Sequence, residues 1–312
     1  MRIKQKPINF DLATQGVSQS LLGHWTKCRV LGRYQLEGWE LPLNKEAAAF
    51  GSLFHKMLEH GYNSVRTTKT VPDFKDLMDR WLKDNAGRIQ DMQMVEVLMA
   101  KAEAIWEPYW RQWWDEDVEN CEWVASEAQF DIRWHGYRLR GMRDGIFVRK
   151  NTVTLLESKT KTRIDPYGLL LALPYDWQNQ FYLIASRAEG TPVRHVCYNC
   201  IRRPALRQGK RETLPEYANR MKEHVADKPD DYFIRFEISY SEATLARFEQ
   251  ELLLKLRDFE AWLKNPEFTY PVQAACQGFW NCEFMEACSS GDMVGYTRTH
   301  QLFRELSTET GE

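Results

Sequence analysis

Apolar positions along this chain follow two rhythms, and the change from one to the other marks out its elements. Trp123–Trp134 alternates, His135-Gly136 reads as a tight turn, and Tyr137–Val148 alternates again before Thr152–Lys159. That pattern predicts a three-stranded meander. Elsewhere the spacing is helical. A helix is predicted from Lys45, capped by Asn44, to about Tyr62, with Ala47–Ala49 as strong helix formers. A second, capped by Asp73, continues with interruptions to about Asp117, and Asp176–Arg187 is a third. Ser241 caps a long helix to about Lys264 whose buried stripe is Leu245, Phe248, Leu252, Leu256 and Phe259. Arg194–Ile201 and Tyr232–Ile238 read as further strands, Asn265–Cys288 as loop, and the last residues as frayed. Strands interleaved with helices make this an α/β chain. No internal repeat or low-complexity linker divides it, so a single domain over residues 1–312 is expected, with a helical insertion near 63–118.

Composition narrows the class. The 312 residues suffice for a large core, and 43% hydrophobic with 28% charged is ordinary for a globular chain. No apolar run approaches the roughly 20 residues that span a bilayer. The start MRIKQKPINF lacks the apolar centre of a signal peptide, so no membrane association and a cytoplasmic location are expected. Seven cysteines, an odd number, without an export signal favour core thiols or metal ligands over disulfides. The tryptophans Trp81, Trp106, Trp110, Trp113 and Trp114 are expected in a helical core rather than as base-stacking platforms. Net charge is −2, so nothing global marks a polyanion partner. Locally, Lys159, Lys161 and Arg163 form one basic run, and Arg202, Arg203, Arg207, Lys210 and Arg211 another. Such runs suit phosphate contacts and equally suit a solvated face.

The chemistry-bearing residues centre on two carboxylates and an amine. Asp144 stands in Gly141-Met142-Arg143-Asp144-Gly145, and Glu157-Ser158-Lys159 closes the apolar run Thr152–Leu156. Alternation along a strand points Glu157 and Lys159 the same way and turns Ser158 inward. Together with an acid at the end of the neighbouring strand they would form an oxygen cage with an ammonium beside it, an arrangement suited to metal-assisted phosphodiester chemistry. Upstream, Gly51, His55 and Glu59 share one helix face, and downstream Gln178 and Tyr182 sit at i, i+4. Each piece alone is ordinary: a packed histidine, a surface Glu–Lys pair.

In order, G-x-x-x-H-x-x-L-E, G-x-x-D, E-x-K and Q-x-x-x-Y resemble the RecB-like branch of the PD-(D/E)XK nucleases, over roughly residues 20–290. The resemblance implies a restriction-endonuclease-like core, a central mixed β-sheet flanked by helices. It implies His55, Asp144 and Glu157 as side-chain ligands of Mg²⁺ or Mn²⁺, with the Ser158 carbonyl as a further one. Lys159 would orient or activate the attacking water and stabilise charge at the phosphate. Gln178 and Tyr182 would position DNA or the site's framework. Lys161, Arg163, Arg202 and Arg203 are the candidate nucleic-acid contacts.

Cys276, Cys282 and Cys288 lie late in the chain and Cys28 early. One early and three late cysteines around such a core resemble the iron–sulfur nucleases, the AddB-type subunits and the CRISPR-associated RecB-like exonucleases, in which four thiolates hold a 4Fe–4S cluster. The first late gap departs from the usual C-x-x-C, which leaves Cys276 open as a ligand. Cys197 and Cys200 offer a competing C-x-x-C, and a structural zinc is the other alternative.

The function implied is a metal-dependent DNA exonuclease acting on single strands or duplex ends, in DNA recombination, repair or processing. The chain shows no G-x-x-x-x-G-K-[ST] motor motif, so it would work alone or beside a helicase or recombinase. The rival is a catalytically silent DNA-binding or scaffold subunit of such a complex. A nuclease directed at RNA also stays open, because phosphodiester chemistry does not record the sugar.

Overall fold

Two pairs of left-handed residues set the sheet. His135 (φ 46°) and Gly136 (φ 84°) join β1 (Glu122–Trp134) to β2 (Tyr137–Arg149), and Lys150 (φ 50°) and Asn151 (φ 59°) join β2 to β3 (Thr152–Lys161). Two consecutive positive-φ residues make the turn whose twist matches that of paired strands. The predicted meander is therefore present, its strands running one or two residues further at their ends. The structure is a computed structural model that describes residues 8–40, 46–85, 91–191, 193–266, 269–276 and 282–298, without the side chains at 47 and 48.

β4 (His195–Arg202) lies parallel to β3, and β5 (Phe233–Ser239) closes the edge antiparallel to β4, giving a five-stranded mixed sheet in the order β1-β2-β3-β4-β5. Ahead of the sheet come α1 (Gln19–Lys27), α2 (Arg29–Leu36), α3 (Glu46–Thr68), α4 (Phe74–Asn85) and α5 (Met92–Trp114). A parallel neighbour needs a crossover, and between β3 and β4 it holds α6 (Pro166–Ala172) and α7 (Trp177–Ala188). α8 (Leu214–Asp227) and α9 (Glu242–Lys264) follow.

Adjacent residues of β3 show how the layers stack. Leu156 joins a core with Phe54, Tyr109, Trp123 and Phe147 under α3, α4 and α5. Leu155 joins another with Trp25, Phe130, Phe181 and Phe259 under α1, α7 and α9. The sheet is thus covered on both faces, and five consecutive residues of β3, Thr154–Ser158, are buried. The predicted stripe of α9 is buried throughout.

Differences from expectation have local causes. α3 runs on to Thr68 because Tyr62 and Val65 keep its apolar face in the core; the predicted cap Asn44 and start Lys45 lie outside the described residues. α8 was not anticipated. The stretch read as loop contains short helices at Gln273–Cys276 and Met285–Ser290, while Phe279, Trp280 and the terminal residues from 299 lie outside the described residues. Trp81, Trp106 and Trp110 are core residues, but Trp114 is exposed. Among the described residues no helix is long and apolar enough to cross a membrane.

Candidate active site

The ladder between β2 and β3 ends at Gly145↔Leu156. Beyond that point a side chain takes over: Asp144 Oδ2 accepts from the Ser158 N–H at 2.6 Å. Alternation then sorts β3 as expected. Ser158 Oγ accepts from Asn199 Nδ2 (3.1 Å) on one side, while Lys159 Nζ lies 2.5 Å from Glu157 Oε1 on the other. α7 meets that amine, since Lys159 Nζ donates to Gln178 Oε1 (2.8 Å) and Gln178 Nε2 donates to Tyr182 OH (3.1 Å).

α3 approaches from the other helical layer. A Cβ at Gly51 would stand 3.2 Å from Thr160 Oγ1, so the glycine lets the helix lie close to β3. One turn on, His55 Nδ1 is 3.8 Å from Asp144 Oδ2. The structure therefore brings His55, Asp144, Glu157, Ser158, Lys159, Gln178 and Tyr182, drawn from four elements, into one group.

Burial dominates the electrostatics. It raises Glu157 to about 7, against the pull of Lys159 and with the help of Asp144. It also raises Asp144, which Lys159 and the Ser158 N–H hold back. His55 is lowered to about 4, first by desolvation and then by Lys159. For Lys159 burial works downward, but Glu157 and Asp144 outweigh it and the amine is held protonated. That is opposite to a lysine beside a bound cation, because its neighbours here are carboxylates.

One residue escaped the sequence reading. Glu127 on β1 lies opposite Asp144 of β2, between the pairs Ser126↔Gly145 and Ala128↔Arg143, and has φ 50°. A strand residue in the left-handed region is strained. Burial, then Asp144 and Glu59, push its carboxyl up to about 9. With His55, Glu59, Tyr62, Asp144 and Ser158 it lines a cavity of about 10 Å³, room for about one water-sized particle. No signal in the sequence marks Glu127, since neither its φ nor its cross-strand partner is written there.

Among the described residues no three His, Cys, Asp or Glu side chains stand close enough, as they lie, to hold a metal ion. The donor chemistry nevertheless fits a hard divalent cation: carboxylates, an imidazole below its ordinary pKa and hence neutral, and a small cavity. Glu157 Oε2 is moreover buried without a hydrogen-bond partner, a vacancy that a polar interior ordinarily fills.

Behind Ser158 a second polar group is fully engaged. Arg235 donates to both carboxylate oxygens of Asp117 (2.6 Å each), to Asn199 Oδ1 (3.2 Å) and to the hydroxyls of Tyr62 and Tyr109 (3.1 Å each). Asn199 passes this on to Ser158.

The outlying predicted residues divide. Arg203 is committed to Glu46 (2.7 Å) and Arg202 lies over the Tyr232 ring, whereas Arg163 is exposed and Lys161 half-buried at the end of β3. Cys197 and Cys200 are three apart on a strand and enter different cores, so they form no C-x-x-C site. Cys28 and Cys282 share a small apolar cluster. Burial raises Cys282 and Cys288, and both lie near enough to Cys276 and Cys28 for their charges to interact.

The family profile of the PD-(D/E)XK nuclease superfamily matches residues 17–289. A search of curated proteins returns no match. Solved structures similar to parts of the chain include SSO0001 (17% identity, 65% of this chain and 84% of that one, TM-score 0.26). Others are LHK-Exo in complex with dAMP (15%, 70% and 95%, 0.29) and the alkaline exonuclease LHK-Exo from Laribacter hongkongensis (14%, 69% and 95%, 0.28).

Proposed function

Because the chain belongs to the PD-(D/E)XK nuclease superfamily, we propose that it is a metal-dependent DNA exonuclease of the RecB-like, iron–sulfur branch. The observation that carries the reading is the meeting of Asp144, Glu157, Lys159 and His55 in one group that includes an unsatisfied carboxylate oxygen. Attack on ends follows from the motif resemblance.

Asp144, Glu157, His55 and the Ser158 carbonyl would hold Mg²⁺ or Mn²⁺, and a bound cation supplies charge neutralisation and an acidified water. The chain's own part is positional. Lys159 keeps its proton and offers a cation to the phosphate. Gln178 fixes the Lys159 amine, and Tyr182 fixes the Gln178 amide. Asp144 fastens the Ser158 backbone, so the strand end cannot drift from the carboxylates. Cys28, Cys276, Cys282 and Cys288 would hold the 4Fe–4S cluster, joining the two ends of the fold. Closing a loop of about 250 residues restricts the unfolded chain by roughly 5 kcal/mol on the chain-entropy account.

The test uses end-labelled single- and double-stranded DNA and RNA with Mg²⁺ or Mn²⁺, comparing the parent with Lys159→Ala and Asp144→Ala. Release of short products from DNA ends by the parent alone is expected; equal activity in all three proteins would falsify the site assignment. For the thiols, the parent should absorb near 400 nm and Cys28→Ala should be colourless and poorly soluble. A brown, soluble Cys28→Ala protein refutes the clasp, and zinc without iron in elemental analysis replaces the cluster.

A further inference from the structure

Between the strand carrying Lys159 and the helix carrying Gln178, the crossover displays an apolar surface that the chain itself leaves uncovered. Tyr167, Leu170 and Leu171 on α6, and Tyr175 just after it, are between 57% and 74% exposed. Tyr167, Leu170 and Leu171 fall at i, i+3, i+4 and so share a helix face. Single exposed apolar residues are commonplace, but a group of them marks contact with something else.

The segment is firmly held from behind. Leu173 is buried against Tyr198, Cys200 and Phe236, with Ile164 and Leu169 beside it, and its carbonyl accepts from Tyr240 OH at 2.6 Å. Asp165 caps α6 through Gly168 N, and Asp176 caps α7 through Asn179 N. The two acids of the segment are thereby spent on backbone. The cations are not paired with acids: Lys161 and Arg163 just ahead of α6 have no ion-pair partner among the described residues, Lys161 Nζ lying 6.0 Å from the Tyr198 ring centre, and Arg247 stacks over Tyr175 at 5.8 Å. The result is an aromatic and aliphatic face edged by positive charge, on the segment that joins the strand of Lys159 to the helix of Gln178.

We infer that α6 and Tyr175 form a platform for the unstacked bases of a single nucleic-acid strand whose backbone runs over Lys161 and Arg163 towards Lys159. A strand with open bases offers both partners this surface asks for, aromatic faces for Tyr167 and Tyr175 and phosphates for the cations, whereas a duplex hides its base faces. This inference rests on the nuclease reading and specifies the form of its substrate.

The full chain is tested in chelator, which withholds divalent metal, by fluorescence anisotropy with labelled oligothymidine, an abasic strand of equal length and a blunt duplex. Oligothymidine is expected to bind about tenfold or more tighter than the abasic strand. Tyr167→Ala/Tyr175→Ala should bring it to the abasic level and leave duplex affinity unchanged, with Leu170→Ser/Leu171→Ser giving a smaller loss. All four side chains are exposed, so the variants should melt with the parent. Equal binding of thymidine and abasic strands by the parent, or unchanged affinity in the variants, overturns the inference. So does sedimentation showing that the substitutions merely split an oligomer. Cleavage by the parent with unaltered strand affinity in the variants sinks the platform alone. Base-dependent binding without cleavage when Mg²⁺ is restored sinks the nuclease reading and leaves the platform standing.

Discussion

Two buried charged groups flank β3, and they are built on opposite terms. Around Arg235 every donor has a taker: both Asp117 oxygens, two tyrosine hydroxyls and the Asn199 carbonyl. Around Glu157 the bonding is incomplete: Oε2 has no partner, and Glu127 opposite Asp144 sits on strained backbone. The first has the form of a structural network, satisfied and closed. The second keeps unused capacity, as a site that must receive something does. Ser158 and Tyr62 belong to both, Ser158 through Asn199 and Tyr62 through its hydroxyl and the cavity wall.

The contrast can be broken most forcefully at Arg235. Arg235→Ala leaves the Asp117 carboxylate buried and unpaired, and a loss of about 3–5 kcal/mol is expected in denaturant unfolding. Lys159→Ala should do the reverse. Cleavage is expected to fall by about 10²–10³-fold, the scale of losing one preorganised charge at a reacting group, with a smaller loss of stability than at Arg235, because Glu157, raised to about 7, takes up a proton once its partner is gone. A Lys159 variant that unfolds as readily as Arg235→Ala would erase the distinction.

Asn199→Ala probes the junction. It strips a donor from Ser158 and from Tyr109, and a cost of about 1–3 kcal/mol is expected from the groups left unpaired. If cleavage follows the stability loss rather than falling further, the closed network supports the site only by keeping it folded.

Glu127→Gln gives an effect that depends on pH and carries a sign. Its carboxyl is raised to about 9 in the fold, so the folded state binds a proton that the unfolded state releases above its ordinary range. The parent therefore loses stability as pH rises between about 4.5 and about 9. The glutamine variant should be more stable by up to roughly 3 kcal/mol at pH 7, with no advantage below pH 4. Paired thermal melts at the two pH values check this, and an equal gain at both would point to backbone rather than charge.

Legibility in the sequence follows the range of the interactions. The meander, α7 and α9 were readable because alternation, caps and stripes are local. α8 had a readable start, Thr213 and Glu216 forming a capping box, but the arginine-rich stretch before it drew attention to charge. Its stripe of Tyr217, Met221 and Val225 is thin. His55, Asp144, Glu157, Lys159, Gln178 and Tyr182 were named from ordered motifs. Glu127 was not, because its meaning lies in cross-strand register. Asp117 and Arg235, 118 residues apart, leave no trace of their pairing in either neighbourhood. Sequence offers Arg202 and Arg203 as nucleic-acid contacts, since it does not show that Arg202 lies over Tyr232 and that Arg203 pairs with Glu46.

The fork where β2 leaves β3 has a consequence for observation. The Ser158 amide is protected from exchange with solvent by a carboxylate, not by a neighbouring strand. Its deuterium uptake therefore senses the state of Asp144, whereas amides at Leu156 and Thr154, on the same side of β3, report the ladder. A single backbone proton thus becomes a gauge of occupancy at the site, readable without substrate and without turnover.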